Sequence, residues 1–316
     1  MGRRTPDVGA LVAGARDGDP RSVARLISLV EQESPALREV AAALAPHTGR
    51  AQVLGITGPP GVGKSTTTTA LIRGLRERDL RVGVLAVDPS SPFSGGALLG
   101  DRVRMGDHAD DPGVFIRSMA SRGHLGGLSW ATPQALRVLD GAGCDVVVVE
   151  TVGVGQSELE VASLADTTLV LVAPGMGDGV QAAKAGILEV ADVFVVNKAD
   201  REGADRTTRE LRSMLTMAPP SDWRAPVVRT VASEGRGVDD VLARVEEHRA
   251  WLASSGEGDR RRRVRAAREI EAIAVGELRR RMGDVGGAGA VDALADRVVA
   301  GECDPYAAAD ELVGRL

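Results

Sequence analysis

The sequence predicts an α/β protein with a mostly parallel sheet flanked by helices and with helical extensions at both ends. Two observations support this fold class. Hydrophobic residues make up 43% of the chain but aromatic ones only 2%, so the core is aliphatic, as in parallel strands buried on both faces. The central part also alternates short aliphatic runs with amphipathic stretches, which is the strand–helix alternation of a parallel sheet.

The predicted elements follow in order along the chain. Residues 1–48 are rich in Ala and Leu and predict helices without recognisable chemistry. Strands are predicted at 52–57, 81–87, 114–118, 145–150, 167–173, 192–197 and 226–231. Helices are predicted at 64–78, 132–141, 157–165, 178–189, 204–217 and 237–254. The stretch 88–113 is rich in Gly, Ser and Asp, and a loop of that length inside a compact domain is usually functional.

The pattern changes after a Ser/Gly-rich stretch at 254–258. A charged helix is predicted at 259–282 and further helix at 290–314, with no strand signal between or after them. The predicted domains are therefore an N-terminal helical extension at 1–48, a central domain at 49–255 and a C-terminal helical arm at 256–316. This arm packs either on its own domain or on another subunit.

The turn after the first predicted strand carries a phosphate-binding motif. GPPGVGKS matches G-x-x-x-x-G-K-[ST] at every fixed position and has the required strand before it and helix after it. Its glycines allow backbone N–H groups to surround phosphates, and its lysine adds positive charge. The predicted phosphate-binding residues are Gly58, Gly61, Val62, Gly63, Lys64, Ser65 and Thr66. The sheet is therefore predicted to be that of a P-loop NTPase, since a dinucleotide-binding turn would need G-x-G-x-x-G.

A second motif predicts that the base is guanine. NKAD at 197–200 directly follows the aliphatic run Val193–Val196 and has the form N-K-x-D of P-loop GTPases. Its carboxylate can accept both N1–H and N2–H of guanine, a pairing that adenine does not offer. The next strand ends in Val-Ala-Ser, a second candidate base loop in which Val231 stands where GTPases often have Ser. The predicted base-binding residues are Asn197, Lys198, Asp200 and Ser233.

Carboxylates at strand ends predict a Mg²⁺ site. ETVG at 150–153 takes the place of the usual D-x-x-G loop, where a carboxylate can hold Mg²⁺ through water. An aspartate ends the second strand, where open α/β sheets bind ligands, and another lies in the long loop. The predicted metal-binding residues are Ser65, Asp88, Asp101 and Glu150, and the predicted catalytic residues are Lys64, Asp88 and Glu150.

Charge and composition argue against several partners. The net charge of −5 disfavours nucleic acid and anionic membrane, and the basic run at 260–265 alternates with Glu further along, as on a solvated helix face. The sequence has no apolar run of about 18 residues and no secretory leader pattern at its start. Its two cysteines have no metal or redox spacing, which together with a nucleotide site predicts a cytoplasmic location.

Several longer strings resemble one family. Together with the P-loop and NKAD, the strings DPSSP at 88–92, DRVRM at 101–105 and ETVGVGQ at 150–156 are similar to the MeaB/ArgK family of methylmalonyl-CoA mutase-associated P-loop GTPases. The likeness covers most of the chain, including a helical C-terminus with DPYAA at 304–308. DPSSP and ETVGVGQ are far more specific than the P-loop itself.

The resemblance implies a Mg²⁺-dependent GTPase that is a chaperone for an adenosylcobalamin-dependent acyl-CoA mutase. GTP binding and hydrolysis would gate cofactor delivery and protect the mutase from inactivation. The resemblance also implies a further switch at 174–184 and a homodimer formed through the C-terminal helices. It leaves the mutase open among methylmalonyl-, isobutyryl-, ethylmalonyl- and hydroxyisobutyryl-CoA mutases.

Two other functions remain open from the sequence. A metallochaperone-type GTPase for nickel or cobalt enzymes predicts a His-rich tract or paired Cys near the switches, and the sequence has neither. Some members of the family carry names that imply an arginine/ornithine transport kinase. A small-molecule or protein kinase would prefer ATP and would need an acceptor pocket, and NKAD argues against this function. The sequence offers Gln156 as a candidate for orienting water, and Arg102 and Arg104 as candidates for stabilising γ-phosphate charge.

Overall fold

The computed structural model describes residues 6–88, 106–108, 110–120, 131–151, 157–175, 188–217, 221–286 and 289–314. It divides into two compact units, Met1–Asp259 and Arg260–Leu316. The first unit contains the sheet, and the regular elements in the described residues of the second are helices.

The first unit is built on a seven-stranded sheet. Its strands are β1 (Gln52–Thr57), β2 (Val82–Asp88), β3 (Val114–Ala120), β4 (Val146–Thr151), β5 (Thr167–Val172), β6 (Val193–Val196) and β7 (Val227–Arg229). Their order is β3-β2-β4-β1-β5-β6-β7, and every pair is parallel. All seven predicted strands are therefore confirmed, and β1 lies at the centre with the turn at 58–63 after it.

Helices cover both faces of the sheet. In the first unit they are α1 (Val8–Arg16), α2 (Pro20–Glu31), α3 (Leu37–Leu44), α4 (Lys64–Arg76), α5 (Ala131–Gly141), α6 (Ser157–Leu164), α7 (Leu188–Val190), α8 (Ala204–Met217) and α9 (Val238–Ser255). One core cluster joins α4 and α9 to the sheet, and another joins α1, α2 and α5 to its other face. Of the helix predicted at 178–189, only the end lies within the described residues.

The N-terminal helices have clear local causes. The Asp7 side chain accepts from the Ala10 N–H at the start of α1, and the Asp19 side chain caps α2, which has Pro20 at its first position. Leu26 and Ile27 of α2 are fully buried and share a core cluster with strand residues. Cys144 lies in the same cluster, and burial raises the pKa of its thiol to about 12.

Aspartates close the amino-terminal edge of the sheet. Asp145, Asp166 and Asp192 each directly precede a strand. Each accepts, through Oδ2, a backbone N–H at the entrance of a neighbouring strand. The donors are the N–H groups of Arg81, Val53 and Thr168, at 2.8, 2.9 and 2.8 Å respectively. In this way, backbone N–H groups that would lack a partner at the start of a strand are hydrogen-bonded.

The helices after the sheet differ in their limits from the predicted ones. A long helix, α10, runs from Glu257 to Gly286, beyond the predicted end at 282. The predicted helix at 290–314 is two helices, α11 (Ala290–Val299) and α12 (Pro305–Val313). The chain turns at Gly301, where φ is +74°, and Asp304 caps a new helix with Pro305 at its first position. In the described part of the chain, no helix is both long and apolar enough to cross a membrane.

Candidate nucleotide-binding site

The predicted phosphate loop lies between β1 and α4, at the carboxyl edge of the sheet. Gly58, Gly61 and Gly63 have φ values of 140°, 79° and 97°, in the region that favours glycine. A Cβ on Gly58 would lie 2.3 Å from the Leu171 carbonyl oxygen, and one on Gly63 would lie 2.5 Å from Asn197 Nδ2. The first and last glycines are therefore required by close approach as well as by backbone conformation.

Lys64 places its ammonium group inside this turn. The side chain belongs to a residue only 7% exposed, and Nζ donates to the carbonyls of Gly58 at 2.8 Å and Pro59 at 3.1 Å. A buried positive charge requires such partners. The ammonium group is therefore held inside the turn by the carbonyls of the loop itself.

Glu150 lies directly beside the start of α4. The residue is 3% exposed, and its Oε1 accepts from Ser65 Oγ at 2.6 Å. Its Oε2 accepts from Thr68 Oγ1 at 2.7 Å. Glu150 pairs with Ile56 on β1. Because side chains alternate between the two faces along β4, its side chain points to the face of the sheet that α4 covers. Two of the four predicted metal-binding residues, Ser65 and Glu150, are therefore in direct contact.

Asn197 joins three loops. Its Nδ2 donates to the Val62 carbonyl at 2.8 Å, so the residue after β6 holds the phosphate loop. Its Oδ1 accepts from Thr230 Oγ1 and from the Ala232 N–H, both at 3.1 Å, which ties in the loop after β7. The side chain is buried and has each polar group satisfied, so it is a structural junction at the edge of the site.

The neighbouring lysine has a left-handed backbone. Lys198 has φ +56°, and its Nζ donates to the Gly61 carbonyl at 2.6 Å. Its aliphatic stem therefore reaches over the phosphate loop. Asp200 and Ser233 lie on the two loops that Asn197 connects, and both residues are exposed. The Ala199 N–H donates to the Thr230 carbonyl at 3.0 Å, which holds these loops together.

Some predicted site residues cannot be placed. The backbone of Asp88 ends β2 at the same edge of the sheet, but its side chain lies outside the described residues. Asp101, Arg102, Arg104 and Gln156 lie outside them altogether. The same holds for the predicted switch at 174–184 after its first two residues.

The structure shows three further contacts, spread along the helix that begins with Lys64, that the sequence did not reveal. Thr68 contacts Glu150, but within a run of four threonines nothing marks it. His108 Nε2 lies 3.1 Å from the Thr69 carbonyl oxygen, and Asp111 forms an ion pair with Arg76 at 3.0 Å. The hydrogen bond from Arg76 holds the pKa of the Asp111 carboxyl below its usual range. These contacts fix the segment after the long loop on the helix that begins with Lys64.

A parallel P-loop sheet whose phosphate turn is bound to an N-K-x-D loop defines the class of P-loop GTPases. The family model described as "Methylmalonyl Co-A mutase-associated GTPase MeaB" matches residues 23–285, and the chain belongs to this family. The resemblance inferred from the motifs is thereby confirmed, and the protein is a GTPase.

Relatives support the same conclusion over most of the chain. A Pyrococcus abyssi protein that carries a GTPase name is 47% identical, over 97% of this chain and 96% of its own. GTPase ArgK of Escherichia coli is 38% identical, over 81% of this chain and 79% of its own. The mouse protein named methylmalonic aciduria type A homolog, mitochondrial, is 37% identical over 79% and 65%. A crystal structure titled LAO/AO transport system kinase has a TM-score of 0.70 and 27% identity, covering 98% of both chains.

Proposed function

We propose that this GTPase is a chaperone for an adenosylcobalamin-dependent acyl-CoA mutase, with methylmalonyl-CoA mutase as the first candidate. GTP binding and hydrolysis would be coupled to cofactor delivery and to protection of the mutase. The observation that carries the proposal is membership of a family described by its association with that mutase, over residues 23–285. We further propose that the protein works in the cytoplasm as a homodimer.

The described site fits Mg²⁺ as the metal of hydrolysis. Hydroxyl and carboxylate oxygens are the ligands that Mg²⁺ prefers, and it usually keeps several waters. Ser65 donates its proton to Glu150, which leaves its oxygen lone pairs directed elsewhere. We propose that Ser65 binds the ion directly and Glu150 through water, with Asp88 and Asp101 completing the surroundings. When bound, the ion would neutralise charge on the β- and γ-phosphates.

The same geometry supports the proposed phosphate and base roles. We propose that the N–H groups of the loop, including those of Val62, Gly63 and Thr66, surround the phosphates, with Lys64 on the outer ones. Asn197, Lys198, Asp200 and Ser233 would form the guanine pocket. Its support is the bond from Asn197 to Val62, which sets the base loop against the phosphate loop.

The partner is tested by affinity capture with purified mutases. The immobilised protein is offered the four acyl-CoA mutases in turn, with GDP, with a non-hydrolysable GTP analogue and without nucleotide. We expect one mutase to bind, with an affinity that differs between the two nucleotides. A Lys64→Ala variant is the matched control, since it should lose the nucleotide dependence while keeping the fold. Capture of no mutase under any condition would contradict the partner assignment.

A kinase is the competing function, because a solved structure that covers 98% of this chain is titled LAO/AO transport system kinase. The two functions predict different products. A GTPase releases inorganic phosphate from GTP in buffer alone, whereas a kinase forms a phosphorylated acceptor and depends on that acceptor. Transfer of the γ-phosphate to an added acceptor, with ATP preferred and no inorganic phosphate formed without the acceptor, would favour the kinase.

A further inference from the structure

The helix that follows the phosphate loop carries four successive threonines, and one of them behaves differently from its neighbours. Thr67 Oγ1 donates to the Gly63 carbonyl at 2.9 Å, and Thr69 Oγ1 donates to the Ser65 carbonyl at 3.0 Å. Threonine inside a helix commonly forms this hydrogen bond to the carbonyl four residues earlier. Thr68 instead donates to Glu150 Oε2 at 2.7 Å.

The direction of Thr68 follows from the geometry of the helix. Ser65 and Thr68 are three residues apart, so their side chains lie next to each other on the face turned towards β4. Both hydroxyls therefore meet the same carboxylate, one at each oxygen, at 2.6 and 2.7 Å. Thr68 is fully buried and Glu150 nearly so, and water therefore has little access to replace the bond between them.

Two donors on opposite oxygens fix the rotation of a carboxylate about its last side-chain bond. With one of these donors removed, that torsion is less constrained, because terminal sp³–sp² torsions have broad minima. Glu150 would then no longer hold the Ser65 hydroxyl in a single direction. A fixed Ser65 hydroxyl that donates its proton to Glu150 presents its lone pairs to one point, and this arrangement suits a cation beside the phosphates.

We propose that Thr68 is a positioning residue of the hydrolytic site, which holds Glu150 so that Ser65 is oriented for the metal. This inference rests on the proposed Mg²⁺ site. Thr68 itself contacts neither metal nor nucleotide in this scheme. Its removal should therefore weaken the use of Mg²⁺ much more than it weakens binding of the nucleotide alone.

The test compares Thr68→Val, Thr68→Ser and Thr67→Val. Valine keeps the shape of threonine but has no hydroxyl, serine restores the hydroxyl, and Thr67 is a buried threonine whose hydroxyl bonds to backbone. Rates of GTP hydrolysis are measured against Mg²⁺ concentration, and GDP affinity is measured without Mg²⁺. We expect Thr68→Val to raise the half-maximal Mg²⁺ concentration about tenfold, the size of one hydrogen bond to a charged group. Thr68→Ser and Thr67→Val should stay within about twofold of the original chain, well below that effect.

The outcomes separate this inference from the function that it rests on. A Thr68→Val variant with the same Mg²⁺ dependence as Thr67→Val would overturn it, and so would an equal loss of Mg²⁺-free GDP affinity, which would show a structural role. Hydrolysis by the original chain without any Mg²⁺ would overturn the metal site and this inference together. If circular dichroism shows that Thr68→Val does not fold, Thr68→Ala is judged by the same criteria.

Discussion

At the scale of single residues, the site depends on buried polar groups that are satisfied by other parts of the same site. Asn197 gives its amide to the phosphate loop and its oxygen to the loop after β7. Glu150 is likewise bonded to the helix that begins with the P-loop lysine. Because a half-satisfied buried group is costly, each residue favours the arrangement of these loops that the structure shows.

Asp200 determines the base in this scheme. Asp200→Asn replaces a double acceptor by one acceptor and one donor, which suits the second carbonyl of xanthine better than the amino group of guanine. We expect GDP affinity to fall about a hundredfold, the loss of about 3 kcal/mol of charged hydrogen bonding, and xanthosine diphosphate to become the preferred ligand. Isothermal titration with GDP, XDP and ADP measures this preference.

The exposed Asp222 supplies the control for that substitution. Asp222→Asn makes the same chemical change outside the proposed site and should leave all three affinities as they are. Equal affinity of the original chain for ADP and GDP would contradict a guanine pocket at Asp200.

At the scale of elements, the aspartates before β4, β5 and β6 hold the sheet edge opposite the nucleotide site. Asp166→Ala removes the acceptor of the Val53 N–H on β1, the strand that leads into the phosphate loop. We expect the free energy of unfolding to fall by about 2 kcal/mol, the cost of a partly buried donor left unsatisfied. Urea denaturation of the nucleotide-free protein measures it.

Two companion variants make the test specific. Asp166→Asn keeps a carbonyl acceptor and should lose less stability than Asp166→Ala, whereas Asp222→Ala, at an exposed position, should lose almost none. If Asp166→Ala were as stable as Asp222→Ala, the proposed role of the strand-entrance bonds would be wrong.

The elements of the first unit were largely predictable because their signals are local. Aliphatic runs predicted all seven strands, and the P-loop spells its own turn and helix start. The bonds of Asn197 to Val62 and of Thr68 to Glu150 were not predictable, since they depend on which strands are neighbours. The order of strands is set by crossover connections, which periodicity along the chain does not encode.

The two helices after α10 show a different limit. Ala, Val and Asp continue at helical spacing through both, so periodicity predicts one helix at 290–314. The observed break depends on Gly301 adopting a left-handed conformation and on the cap at Asp304. Both signals are present in the sequence. They outweigh the periodic pattern because proline favours the first position of a new helix.

At the scale of the whole molecule, the second unit presents apolar side chains to solvent. On α10, Ile270 is 69% exposed and Ile273 is 52% exposed, and Val264, Val275 and Leu278 are exposed on the same helix. Exposed aliphatic groups at this density on one helix are typical of a surface that is covered in an assembly. They support the proposed homodimer, formed through the C-terminal helices.

The oligomer is tested by light scattering on a sizing column. The double substitution Ile270→Asp and Ile273→Asp should convert a dimer to a monomer, because each isoleucine stabilises association by about 1.5–3 kcal/mol when fully buried. Together they correspond to a rise in the dissociation constant of about a hundredfold or more. The control is the double substitution Glu269→Gln and Glu271→Gln, beside the isoleucines on α10. It should leave the measured molecular mass unchanged, since neither substitution removes apolar surface. A monomeric original chain at micromolar concentration, or a double aspartate variant that remains dimeric with its helix content intact, would show that these side chains serve another purpose.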